Sequence, residues 1–148
     1  MGQIRKTVPP KDNKIKKATS TDVVMTFSFK FFDEKDEDVC PASFHETYTQ
    51  ALMLRLRVLS SWPGEKFRGK MENNIRNHRI AWEDTARAGF SRVSAEHKDT
   101  QAWQFAVEEH KHGRVHGFFI GDTFYIIWLD SCHALYPSES GTTKGEGK

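Results

Sequence analysis

Apolar and polar positions are most regularly ordered towards the end of the chain. Residues 102–107 (AWQFAV), 114–120 (RVHGFFI) and 124–130 (FYIIWLD) are apolar runs separated by turn-forming residues around Gly113 and Gly121-Asp122. This pattern predicts an antiparallel meander with glycine at its tight turns. Trp103, Phe105 and Val107 alternate with Ala102, Gln104 and Ala106. A short helix also accommodates that run, but the two clear strands after it favour a strand. In FYIIWLD only the last position is polar, which predicts a central strand covered on at least one side. Gly117 has no side chain to pack inside its strand, so it marks a bulge or a close backbone approach.

Upstream, residues 23–32 (VVMTFSFKFF) set Val23, Met25, Phe27, Phe29 and Phe31 against Val24, Thr26, Ser28 and Lys30, the pattern of a strand with one apolar face. The acidic run 33–38 (DEKDED) lacks the central glycine and terminal glutamate of an EF-hand loop and reads as a solvated turn. Ser43 with Glu46 forms a capping-box pattern, and Phe44, Tyr48, Ala51, Leu52, Leu56 and Leu59 follow at helical spacing. Arg55 and Arg57 lie outside that stripe and are expected to face water, while Trp62-Pro63-Gly64 ends the helix. Residues 65–77 fit either a short helix or a long loop. Residues 78–82 (HRIAW) suggest a short strand, turned afterwards by Ala88-Gly89-Phe90. The expected fold is a single α+β domain over residues 21–137. Its antiparallel sheet of about four or five strands, a meander at the C-terminal end, packs on one long amphipathic helix beginning at Ser43. A flexible basic arm (1–20) and a flexible tail (138–148) flank it.

Composition narrows the class. At 148 residues the chain has the size of one domain with a real core. No run approaches the roughly 20 apolar residues of a membrane span, and no apolar block follows the N-terminal basic residues. Cys40 and Cys132 are too few for a disulfide scaffold and fit a reducing compartment. A soluble cytoplasmic protein is expected. Six of the 22 Lys and Arg fall in residues 1–20 and two in 138–148, leaving 14 against 17 Asp and Glu over 21–137. The folded part therefore has no body-wide basic footprint, and the Lys-rich arm reads as solvated charge that can also meet phosphates non-specifically. Most of the 11 Phe and 4 Trp fall on apolar sides of the alternations and read as core, with Trp62 the exception available to stack on a base.

The candidate chemistry lies on the meander. Arg114 and His116, two apart, share a strand face, while His133 and Tyr136 follow the next strand's end. A hairpin turning at Gly121-Asp122 sets Arg114 level with Asp130, so Arg114, His116, His133 and Tyr136 can converge. Imidazoles that exchange protons near neutrality and a guanidinium that stabilises phosphate charge suffice for cleaving RNA without a metal or other cofactor. The plainer alternative makes His116 and Tyr136 half-buried groups with satisfied hydrogen bonds and pairs Arg114 with Asp130. His110, His112 and His116 share parity and raise a metal site, although Gly113 interrupts the extended geometry between them. Cys132 paired with a histidine is the weakest candidate, since free cysteines are usually small buried hydrophobes.

With Trp103, Arg114-Val115-His116, Gly121-Asp122, Tyr125-Ile126-Ile127-Trp128 and then His133 and Tyr136, the C-terminal third resembles the RelE/ParE-type family of small bacterial toxins. Members of that family are mRNA endoribonucleases or gyrase poisons, usually neutralised by an antitoxin. On the nuclease branch the resemblance implies Arg114 as phosphate clamp and His133 with Tyr136 as acid/base or substrate-orienting groups. It also implies RNA or the ribosome and a cognate antitoxin as partners. The rival is a non-enzymatic binding or immunity module that uses the sheet or its long loop as an interface.

Overall fold

The computed structural model describes residues 23–137, so the expected arm and tail lie outside the described residues. The three apolar runs form β3 (Ala102–Glu108), β4 (Lys111–Ile120) and β5 (Thr123–Asp130). They pair antiparallel, with Gln104 opposite His116 and His116 opposite Trp128. Two short strands extend the sheet, β1 (Thr26–Ser28) beside β5 and β2 (His78–Arg79) beside β3, in the order β1-β5-β4-β3-β2. Because β1 runs parallel to β5, the sheet is mixed, not wholly antiparallel.

The strand expected over 23–32 contracts to Thr26–Ser28 because Asp33 pulls the chain away from the sheet edge. Its N–H donates to the Ile127 carbonyl at 2.9 Å and its buried carboxylate accepts from Trp128 Nε1 at 3.2 Å. Asp36 is held by two guanidinium nitrogens of Arg87 at 2.8 Å. Glu34, Lys35, Glu37 and Asp38 are exposed as a solvated turn requires, while Asp33 and Asp36 anchor the segment to the body.

The helix α1 spans Tyr48–Leu59 and has no side-chain cap. It does not begin at Ser43, because Tyr48 N–H closes a tight turn on the His45 carbonyl and Phe44 stacks outside the helix on the Tyr48 ring, 4.4 Å between centroids. Tyr48, Ala51, Leu52 and Leu59 form its buried stripe. Arg55 does not simply face water. Its Nε donates to the carbonyls of Ala106 and Val107 at 2.8 and 3.0 Å, and Ile75 O accepts the Ala106 N–H at 2.7 Å. These bonds protect the part of β3 that the two-residue β2 leaves bare. Within 65–77 only the start is helical, α2 (Gly64–Phe67), after which buried Asn77 ties the loop through Glu72 N–H and the carbonyls of Phe67 and Lys70. The strand expected over 78–82 stops at Arg79, since Trp82–Asp84 winds into a 3-10 turn.

Alternation gives the sheet two apolar faces, and each is covered. On one, Phe67 of α2 meets Trp103, Phe105, Phe119 and Phe124 at centroid distances of 5.4–5.9 Å. On the other, the irregular segment 82–97 and Phe31 cover Phe118 and Trp128, with Phe90 5.0 Å from Trp128 and His97 5.5 Å from Phe118. Covering both sides is what allows β5 to be apolar at almost every position.

At Gly117 both expected features occur together. The β4–β5 register shifts there, and a Cβ would lie 2.0 Å from the Tyr125 carbonyl oxygen and 2.6 Å from the Phe124 ring. Gly117→Ala is therefore expected to cost about 3 kcal/mol or to prevent folding, measured by urea unfolding. A loss below about 1 kcal/mol would mean that the bulge relaxes freely and that this close approach does not constrain the sheet.

Candidate functional site

Three segments meet at the end of the sheet opposite the Gly121-Asp122 turn: the β3–β4 connection, the start of β4 and the turn after β5. Between them is an open hollow of about 390 Å³ lined by residues 109–114 and 131–133. Lys111 and Arg114 set two cations in its wall against Glu109 alone, with His110, His112 and His133 beside them. Gly113 makes this closeness possible. Its φ is +69°, and a Cβ would fall 1.9 Å from the Asp130 carbonyl oxygen, so only glycine lets β4 start against the 130–131 peptide.

Behind the hollow lies a buried polar pair. His116 Nε2 stands 3.0 Å from Asp130 Oδ2, and the two residues are 0% and 1% exposed. Asp130 also accepts the N–H groups of Ala134 at 2.7 Å and Leu135 at 2.9 Å. Burial pushes its carboxyl up, but the hydrogen bond from His116 and those two N–H groups outweigh this and hold it below the usual carboxylate range. Burial pushes the His116 imidazole down in spite of Asp130. The pair is therefore a carboxylate and a neutral imidazole that donates from Nε2, which leaves Nδ1 as a buried acceptor without a partner. His116 is sealed and cannot reach a substrate.

The four residues expected to converge are split into three places. Arg114 and His133 share the hollow. His116 lies behind it, and Tyr136 lies outside its lining, with its hydroxyl accepting the Ala81 N–H at 2.9 Å and its ring 6.2 Å from His78. The expected Arg114–Asp130 pairing holds for strand register only. Asp130 turns to His116 and the backbone, and Arg114 donates merely to the Gly113 carbonyl at 3.2 Å, with Nε unpartnered. Burial and the charge of Arg76 both disfavour the Arg114 cation. His133, exposed at φ +57°, is fixed through its N–H to the Asp130 carbonyl at 3.1 Å. Partial desolvation and then Arg114 push its imidazole below the ordinary histidine range, so the neutral, proton-accepting form prevails at neutral pH.

The histidines raised as metal ligands do not gather. His116 is sealed, His110 leans to Glu109 at 3.7 Å, and His112 meets the Thr47 hydroxyl at 3.2 Å. Among the described residues no group of three or more His, Cys, Asp or Glu is placed to hold a metal ion. Cys132 is exposed at the hollow, whereas Cys40 is buried beside the Leu129 N–H. Fold and site together define a small α+β domain with a basic, histidine-lined hollow at one end of its sheet. No family model, curated protein or solved structure matches the chain.

The buried imidazole sets a pH dependence. The unfolded chain binds a proton near pH 6.5 that folded His116 refuses, so stability is full above that pH and falls as pH drops below it. Between pH 7.5 and 5.0 the unfolding free energy should decline through this group. Urea unfolding of His116→Gln at both pH values should show a shallower decline; an equal decline in wild type and variant contradicts the neutral-imidazole assignment.

Proposed function

We propose that the chain is a metal-independent endoribonuclease whose centre is the basic hollow, with Arg114 clamping the phosphate and His133 exchanging a proton with the substrate. The observation that carries this reading is the state of Arg114. It is a half-buried cation beside Arg76, the Asp130 carboxylate takes its hydrogen bonds from His116 and the backbone, and Arg114 lines an open hollow. A phosphate oxygen gives Arg114 an ion-pair partner. In the reaction a ribose 2′-oxygen attacks phosphorus as a base removes its proton. The P–O5′ bond then breaks as an acid protonates the leaving oxygen, giving a 2′,3′-cyclic phosphate and a 5′-hydroxyl. The unprotonated ring of His133 at neutral pH is free to act as the base. The likeness of the C-terminal third to RelE/ParE-type toxins supports the same assignment, with His116 and Tyr136 moved to holding the scaffold.

The full chain should cleave an RNA oligonucleotide in the presence of a chelator and arrest growth when expressed. Arg114→Ala and His133→Ala should each lower cleavage by about 10²–10³-fold and relieve the arrest. A wild-type protein that leaves RNA intact and growth unimpaired overturns the reading.

The outer face of α1 favours a second reading, a non-enzymatic module that binds an apolar segment of a partner such as an antitoxin. Met53, Leu54 and Val58 are 59%, 48% and 39% exposed there, while both sheet faces are already covered. Leu54→Asp with Val58→Asp should abolish co-purification of such a partner while the far-ultraviolet circular dichroism of the chain is unchanged. Retention of the partner by the double variant excludes this face.

A further inference from the structure

His112 stands at the seam between the hollow and α1. Its Nε2 is 3.2 Å from Thr47 Oγ1, and that oxygen is 2.9 Å from His45 Nδ1. Thr47 occupies the N-cap position of α1 yet makes no capping bond, so its hydroxyl serves this long-range contact instead. The Thr47 backbone N–H also points at His45 Nδ1, at 3.1 Å, and can only donate. His45 Nδ1 is therefore an acceptor whose single lone pair that N–H occupies. The Thr47 hydroxyl and His112 Nε2 share one hydrogen bond, which engages Nε2 and leaves Nδ1 as the other ring nitrogen. The His112 ring also rests edge-on against Tyr48, 5.5 Å between centroids, and its backbone is left-handed at φ +68°. For a residue with a side chain that conformation is strained, and such strain collects at functional sites. Gly113 wedges this end of β4 against the 130–131 peptide, directly before the turn that carries His133.

We propose that His112 belongs to the same centre as Arg114 and His133 as the second imidazole of an acid–base pair, and that Thr47 is the positioning residue that holds it. The proposal rests on the nuclease reading and adds the group that reading lacks. While His133 takes the 2′-hydroxyl proton, His112 delivers a proton to the departing 5′-oxygen; when water opens the cyclic phosphate, the two exchange roles and are restored. The titratable groups around His112 are His45 and Tyr48 on the α1 side, Glu109, His110, Lys111 and Arg114 on its own side of the hollow, and Cys132 and His133 across it.

The test uses the full chain in two arms. In cleavage of an RNA oligonucleotide, His112→Gln should lose about 100-fold or more. Thr47→Val should lose about tenfold and displace one limb of the pH–rate profile, and Thr47→Ser should restore both. Cleavage by His112→Gln at the wild-type rate overturns the proposal and leaves the Arg114–His133 reading standing. In the second arm, imidazole resonances are followed by NMR as inorganic phosphate or uridine 3′-monophosphate is added. Both His112 and His133 should shift together, and Thr47→Val should move the titration of His112 while Thr47→Ser does not. Should the wild type be inert on RNA, the nuclease reading falls and this arm decides the pairing. A shift confined to one ring, or a His112 titration indifferent to Thr47→Val, overturns it.

Discussion

One carboxylate organises this end of the molecule. Moving an ionised Asp130 out of water costs several kcal/mol unless hydrogen bonds replace its hydration, and three donors do so: His116 Nε2 and the N–H groups of Ala134 and Leu135. Each donor is also a geometric constraint. The imidazole ties β4 to β5 at a height where the ladder is about to end, and the two backbone groups fold the following residues back over the carboxylate. His133 is caught inside that turn with its N–H on the Asp130 carbonyl, and Tyr136 is carried on to the Ala81 N–H. The groups first suspected of chemistry together are thus linked by one anchor, although they face different surroundings.

The anchor depends in turn on how the sheet is covered. A helical layer protects one face, but the face bearing His116, Phe118 and Trp128 is closed by an irregular segment whose Trp82, Phe90 and His97 pack edge-on and tilted against it. Irregular backbone makes a workable cover because its aromatic side chains bury large areas with little regular structure. Asp33 takes part from the other end, bonding to Trp128 Nε1 and drawing the chain after β1 across the same face. Sealed in this way, His116 keeps a neutral ring even beside a carboxylate.

Much of the architecture was legible where local pattern and tertiary outcome coincide. The β3–β4–β5 meander follows from alternating runs and turn glycines, and the stripe of α1 from Tyr48, Ala51, Leu52 and Leu59. Where the pattern misleads, a distant partner decides. Residues 23–32 look like one strand, yet the Asp33–Ile127 bond ends the pairing early; Ser43 looks like a cap, yet Phe44 prefers the Tyr48 ring. Arg55 lies outside the apolar stripe, but two carbonyls of β3 claim it. At the site, strand parity placed Arg114 and His116 on one face correctly. It could not reveal that the weakly patterned segment 82–97 covers that face at His116 and leaves Arg114 open. The contact between Thr47 and His112 had no local signature, since it spans 65 positions.

The division between a sealed pair and an open hollow also settles how charge can act here. Residues 21–137 carry more acidic than basic side chains, so a long-range positive field does not come from the folded body. What the hollow offers is local: a guanidinium robbed of its obvious partner, a lysine beside it and imidazoles on both rims. In a concavity with a low-dielectric wall such groups act on an anion over a few ångströms more strongly than the same charges spread on a surface. Had Asp130 turned its oxygens towards Arg114, the cation would be neutralised and the 131–136 turn left unheld. By taking its hydrogen bonds from His116 and the backbone instead, Asp130 fixes the turn and leaves Arg114 hydrogen-bonded to the Gly113 carbonyl alone. The same choice of partners therefore stabilises the fold and keeps the site charged.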